Sequence, residues 1–213
     1  MDLNKITNRE EKRKLARKIS EKVENGQVIG FGSGSTSYLS AIEIGKLVKE
    51  KGWSIKAIPT SKEIEEVCKQ YEIEIGSLVE DEIDWSFDGA DEVDSNNNMI
   101  KGMGAAMFKE KLNMISSPIT YILVDKSKLV NNLGEKHPIP VEVFPSAMKY
   151  VANELTKLGA TETIFRGMTE NNNAILDTKF KKITEELEKQ IKIISGVIES
   201  GLFINYKVEI ICK

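Results

Sequence analysis

The sequence predicts an α/β chain: a doubly wound, mostly parallel sheet, followed by a smaller unit in which strands and helices follow a different order. Three observations lead there. Strand-length apolar runs alternate with stretches of helical periodicity from Gln27 to Asp125, the pattern of βα units on a parallel sheet. One of those runs hands over directly to a glycine loop, Gly30-Phe31-Gly32-Ser33-Gly34. Beyond Pro138 and Pro140 the order becomes strand, helix, strand, strand, helix, strand, the split-βαβ pattern.

The elements follow in order. Residues Arg9 to Val23 repeat charged and apolar positions at helical spacing until Asn25-Gly26 breaks the helix, and Gln27 to Gly32 reads as a buried strand. Ser35 to Glu50 reads as helix, Ser54 to Ile58 as strand, and Ser61 to Gln70 as helix with Ser61 as N-cap. Trp85 to Asp88 is a short strand, Ala105 to Ile115 a helix and Ile119 to Asp125 a strong strand. Asn131-Asn132 and Gly134 then punctuate the chain, and a domain boundary is expected near Gly134. The second unit comprises strand Val141–Phe144, helix Ser146–Leu158, strands Thr161–Arg166 and Ala174–Thr178, helix Lys181–Gln190 and strand Ile193–Ile198. The tail, Gly201 to Cys212, is apolar enough for one or two strands returning to the first sheet.

Composition narrows the function classes. The 213 residues suffice for one large domain or two small ones. Thirty Lys+Arg against 33 Asp+Glu leave a slight negative balance, which argues against nucleic acid as the main partner. The longest apolar runs are strand-sized, whereas a membrane span needs roughly 20 apolar residues. The charged N-terminus lacks the apolar stretch of a signal peptide, so the expected compartment is the cytoplasm. There Cys68 and Cys212, without CxxC spacing, are expected to be reduced apolar fillers.

Three constellations carry chemistry. The first is Gly30 to Thr36, where a strand gives way to a helix, so the N–H groups and hydroxyls of Ser33, Gly34, Ser35 and Thr36 converge at a positive helix end suited to phosphate. It is neither a dinucleotide fingerprint nor a P-loop, because Ser35 stands where the third glycine belongs and no GK[ST] follows. A plain small-residue turn with a Ser/Thr cap fits the same residues. The second is Asp88-Gly89-Ala90-Asp91-Glu92-Val93-Asp94, directly after a strand. It admits a metal site, a solvated turn, or a pair of carboxylates dividing acid and base work. The third is Lys101-Gly102-Met103-Gly104, opening a helix that carries Glu110. At 3.6 residues per turn Glu110 shares a stripe with Met103, Met107 and Met114, while Lys109 and Lys111 diverge. Apolar surroundings would raise its pKa and suit it to abstract a proton beside a carbonyl. A surface glutamate on a helix that buries Phe108, Leu112 and Ile115 instead fits the same spacing. His137, the lone histidine, sits in a turn, and Lys128 reads by default as a solvated lysine.

Taken in order, GSGST, DGADEVD, KGMGAAMFKEK, VDKSK, PIPVEV and ENNNAILD resemble the A-type ribose-5-phosphate isomerases over nearly the whole chain. The resemblance implies a Rossmann-like domain, residues 1–133 plus 202–213, and a ferredoxin-like domain, 134–201. It also implies a homodimer or homotetramer, no metal or redox cofactor, and a place in the non-oxidative pentose phosphate pathway. By the same resemblance Glu110 is the general base working through a cis-enediolate, and Asp88 and Asp91 open the sugar ring and move protons among its oxygens. Lys101 stabilises oxyanion or phosphate. Ser33, Gly34, Ser35 and Thr36, with Gly89, Ala90, Gly102, Met103, Gly104 and Lys128, contact substrate, and Lys12 stands where some relatives use another basic residue. Two departures stand out: Met103 replaces a glycine common in the family, and Ser33 a common threonine. A sugar-phosphate sensor is the rival class, but the chain has no residues to spare for a helix-turn-helix. Amino-sugar-phosphate isomerase/deaminases and CoA transferases of related fold explain DGAD followed by KGxGAA less well.

Overall fold

The computed structural model describes Met1 and residues 6–213. The chain divides into two compact units, the first comprising Met1–Gly89, Lys109–Ser127 and Lys207–Lys213, the second Ala90–Phe108 and Lys128–Tyr206.

The first unit is a six-stranded parallel sheet. Its strands are β1 (Val28–Phe31), β2 (Lys56–Pro59), β3 (Glu74–Ile75), β4 (Trp85–Asp88), β7 (Thr120–Val124) and β13 (Val208–Cys212), in the order β13-β7-β4-β1-β2-β3 with every pair parallel. The order reverses between β1 and β4, where the crossovers of a doubly wound sheet leave a crevice at the carboxyl ends. Around the sheet lie α1 (Arg9–Ser20), α2 (Gly34–Lys51), α3 (Lys62–Gln70) and α4 (Met107–Ile115), the last begun in the second unit. The core gathers Leu15, Ile19, Ile29, Phe31, Ile44, Ile64 and Phe87. Burying each such side chain contributes roughly 1.5–3 kcal/mol. Ser61 caps α3 as expected, accepting from Ile64 N at 3.4 Å.

The second unit holds a four-stranded antiparallel sheet in the order β11-β8-β10-β9, from β8 (Ile139–Val143), β9 (Ala160–Met168), β10 (Ala174–Phe180) and β11 (Val197–Ser200). It packs with α5 (Met148–Lys157) and α6 (Leu187–Lys192) around Val141, Val143, Val151, Leu155, Leu176 and Ile191. A three-stranded sheet, β12-β6-β5, completes it from β5 (Glu92–Val93), β6 (Met99–Ile100) and β12 (Leu202–Phe203). These two-residue strands are too short to register as a periodic pattern.

Two expected elements move. The second helix of this unit begins at Leu187 rather than Lys181, because Ile183 packs against the core from an irregular segment. The following strand begins at Val197 rather than Ile193. Gly196 adopts φ +94° there, and a Cβ on it would stand 2.3 Å from Ala147 Cβ. Pro140, read as punctuation, lies within β8; its missing N–H leaves a C=O that accepts from Gly201 N at 2.7 Å.

One buried carboxylate fastens the loop after β7 to β5. Glu92, fully inaccessible, accepts backbone N–H groups from Gly134, Lys136 and His137 at 2.6 Å each. Glu92→Gln puts an NH2 where donors already converge, and is expected to lower stability by about 2–4 kcal/mol. Urea unfolding measures this, and an unchanged midpoint would show that the turn stands without the charge.

Candidate active site

In the first unit the candidate residues Ser33 to Thr36 and Asp88 gather at the switch point. Strand β1 ends at Phe31 and Gly32 N donates to Phe87 O at 2.8 Å, so the loop starts in register with β4. Asp88, the last residue of β4, is 4 % exposed. Its Oδ1 accepts from Ser33 N at 3.1 Å, Ser37 Oγ at 3.3 Å and Gly89 N at 2.7 Å. Gly32 makes this possible: a Cβ there would fall 2.1 Å from Asp88 Cγ.

The plain-cap reading of this loop does not hold. Ser33 occupies the N-cap of α2 without a side-chain cap bond, and its hydroxyl instead meets Thr60 Oγ1 at 2.6 Å. Gly34 takes φ +83°, a conformation that favours glycine. Lys12, only 7 % exposed, donates from Nζ to Ser35 Oγ at 2.9 Å. A positive helix end, hydroxyls and a buried ammonium are thus collected in one loop, the requirements for an anionic phosphate ester.

Asp125, at the end of β7, completes this region. Burial pushes its carboxyl up, but hydrogen bonds from Ser127 and the Asn8 side chain, with the attraction of Lys12, hold it below the ordinary carboxylate range.

Glu110 lies on α4, 5 % exposed. Met107 and Met114 on its stripe are buried as well, while Ile115 is 59 % exposed and Phe108 and Leu112 are half-buried. The face the alternative reading would bury is therefore the less buried one. Two details differ from the helical-wheel expectation: Met103 precedes the helix, and Lys111 is buried rather than divergent. Asn113, one turn on from Glu110, fastens α4 to the sheet by donating to Ile58 O at 2.8 Å.

The second unit carries the glycine loop. Lys101 follows β6, 2 % exposed, with Nζ 5.7 Å from the Phe203 ring centroid and its N–H bonded to Gly201 O at 2.8 Å. Met103 N donates to Asp91 Oδ2 at 3.0 Å. Arg166 Nη1 and Nη2 donate to Met103 O at 2.5 Å and Gly102 O at 2.9 Å. Within the loop Gly102 and Ala105 have positive φ, +97° and +63°, and Met103 does not, so the side chain at 103 imposes no left-handed strain. Gly104 is exposed and Ala90 half-buried. Lys128 ends a 3-10 turn; Leu129 bridges to Val93 in parallel, which sets Lys128 level with Glu92.

The carboxylates of DGADEVD all accept hydrogen bonds from backbone N–H groups, Asp94 from Asn96 and Asn98 at 2.8 and 2.9 Å. No cluster of three or more His, Cys, Asp or Glu that could hold a metal ion exists among the described residues. No helix among them is long and apolar enough to cross a membrane.

The ribose 5-phosphate isomerase A (phosphoriboisomerase A) family model matches residues 56–213. The chain belongs to the ribose-5-phosphate isomerase A family. The family's enzyme from Methanocaldococcus jannaschii is 41 % identical over 208 residues, 93 % of this chain and 92 % of that one. The Oceanobacillus iheyensis relative is 40 % identical over 213 residues, covering 94 % and 95 %. Among solved structures, the M. jannaschii family member superposes with TM-score 0.91 at 40 % identity, covering 96 % of this chain and 95 % of that one. A D-ribose-5-phosphate isomerase in complex with phospho-erythronic acid gives TM-score 0.91 at 35 % identity, covering 98 % and 96 %. The doubly wound sheet with its smaller antiparallel unit is thus the fold of this family.

Two residues that the structure places against the candidate loops, Arg166 and Thr60, were not singled out from the sequence. Thr60 left no signal. Arg166 left one: of the 30 Lys+Arg only four are arginine, and the other three, Arg9, Arg13 and Arg17, lie in α1.

Because Asp125 is held below its unfolded value of about 3.9, its stabilising contribution is present above that pH and is lost as pH falls through the folded value. Asp125→Asn is therefore expected to be less stable than wild type near neutrality, with the gap closing below about pH 4. Urea midpoints across pH measure it, and a pH-independent gap would assign the effect to packing.

Proposed function

We propose that this chain interconverts D-ribose 5-phosphate and D-ribulose 5-phosphate through a cis-enediolate. The observation that carries this reading is Glu110, a buried carboxylate between Met107 and Met114, in a chain of the isomerase A family. A carboxylate shielded from water is suited to take a proton from carbon next to a carbonyl.

In the aldose-to-ketose direction Glu110 removes the C2 proton of the open-chain aldehyde while O1 gains a proton. The same carboxyl then returns its proton to C1 as O2 loses one, leaving the ketone at C2. Atoms and electrons balance within the substrate, so the reaction asks for no redox cofactor and no metal. Lys101 stabilises negative charge on the enediolate oxygens, an electrostatic contribution that often dominates such catalysis. Asp88 and Asp91 open the ring and move protons among the oxygens. Ser33, Gly34, Ser35 and Thr36 receive the phosphate with Lys12, and Gly89, Ala90, Gly102, Met103, Gly104 and Lys128 line the sugar. The relative solved in complex with phospho-erythronic acid supports this reading, because that ligand is a phosphorylated sugar acid whose planar carboxylate resembles an enediolate. We further propose a cytoplasmic homodimer or homotetramer serving the non-oxidative pentose phosphate pathway.

Glu110→Gln is expected to keep the fold and the KM for ribose 5-phosphate while kcat falls roughly 10²- to 10⁴-fold; near-normal turnover would remove Glu110 from the role. Wild-type protein treated with EDTA is expected to retain full conversion, and activity lost to EDTA but restored by Mg²⁺ or Mn²⁺ would reinstate a metal. Gly32→Ala, which drives a Cβ into the Asp88 carboxyl, is expected to cut kcat roughly tenfold to a hundredfold. Unaltered kinetics in that variant would mean that the placement of Asp88 is not limiting.

A further inference from the structure

We propose that Arg166 is a positioning residue for this reaction, clamping two consecutive carbonyls of the glycine loop so that the Met103 N–H is aimed at Asp91. The inference rests on the isomerase reading and adds a residue to it. Strand β9 presents Arg166 with its side chain 24 % exposed, and the guanidinium makes contacts in three directions. Nη1 reaches Met103 O at 2.5 Å, Nη2 reaches Gly102 O at 2.9 Å, and Nε lies 3.0 Å from Asp177 Oδ2 on the paired strand β10.

The geometry suits arginine and not lysine. A planar fork can hold two successive carbonyls and a carboxylate at once, whereas an ammonium is a point charge on a flexible stem. The chain is otherwise built on lysine: Arg166 is its one arginine outside α1. Burial raises the Asp177 carboxyl above its ordinary range although Arg166 opposes the shift.

The two carbonyls belong to the peptides whose N–H groups are those of Met103 and Gly104. Drawing electron density toward the guanidinium strengthens both as donors, and the first is the one that meets Asp91 Oδ2 at 3.0 Å. A segment with glycines at 102 and 104 has wide conformational freedom. Fixing it beforehand removes an ordering cost that substrate binding would otherwise bear. Asp177, Arg166, the loop peptides and Asp91 form one continuous line of polar contacts.

The test compares wild type, Arg166→Lys and Arg166→Ala by steady-state kinetics on ribose 5-phosphate, thermal midpoint and amide exchange of residues 102–104. The expected result is a kcat loss of roughly tenfold to a hundredfold in both variants, faster exchange in the loop and little change in midpoint. Millimolar guanidinium is expected to restore part of the Arg166→Ala turnover and none in wild type. Wild-type kcat and exchange in Arg166→Lys, or losses that follow the thermal midpoint without rescue, would overturn the proposal. Should Arg166→Ala not fold, Arg166→Lys alone decides between these outcomes. Wild-type protein inert on the pentose phosphates would strike the isomerase reading instead, and loop exchange would still decide the clamp.

Discussion

Asp88 fills the space that a side chain on residue 32 would need, and the arrangement of the loop between β1 and α2 depends on that exclusion. Strands β1 and β4 are neighbours at the reversal of the sheet order, so their carboxyl ends must deliver their loops side by side. Only because residue 32 is glycine can the Asp88 carboxyl turn across the end of β1 and accept the N–H of Ser33. That bond ties the residue before α2 to the end of β4, two positions from where Ser35 and Lys12 meet. Backbone geometry, more than any single side-chain pair, is what the region economises on.

The acidic run after β4 shows how one short segment divides its charges. Asp88 ties two loops together, Asp91 receives the Met103 amide, Glu92 holds the turn at 134–137, and Asp94 closes the β5–β6 hairpin. Each carboxylate is satisfied by N–H groups whose direction is fixed by the backbone. A buried carboxylate without such donors would be costly; with them it becomes an anchor. Glu92 illustrates the point, since its burial is complete and its three donors come from a segment more than forty positions away in the chain.

The alternation of strands and helices was legible because parallel strands buried on both faces read as continuous apolar runs. Positions such as Gly32 and Glu110 were legible because glycine and helical spacing carry geometric meaning in one dimension. The two-residue strands β5, β6 and β12 were not, since two residues are too few to show a period and the pairing of β12 with β6 is long-range. Helix α6 and strand β11 shifted for a related reason: Ile183 and Gly196 answer to the packing around them, not to propensity. The contacts of Arg166 with the glycine loop were not legible because those partners are main-chain carbonyls, whose positions no residue type in the sequence encodes.

Met103 lies between two left-handed residues, Gly102 and Ala105, with Gly104 intervening, and both polar groups of its own backbone are engaged. The loop therefore uses residue 103 as a peptide unit and leaves its half-buried side chain outside the hydrogen-bond scheme. Position 103 is in effect an open slot in the middle of a fixed frame. A fluorescent or isotopic reporter installed there would sit within the loop without replacing any group that holds it.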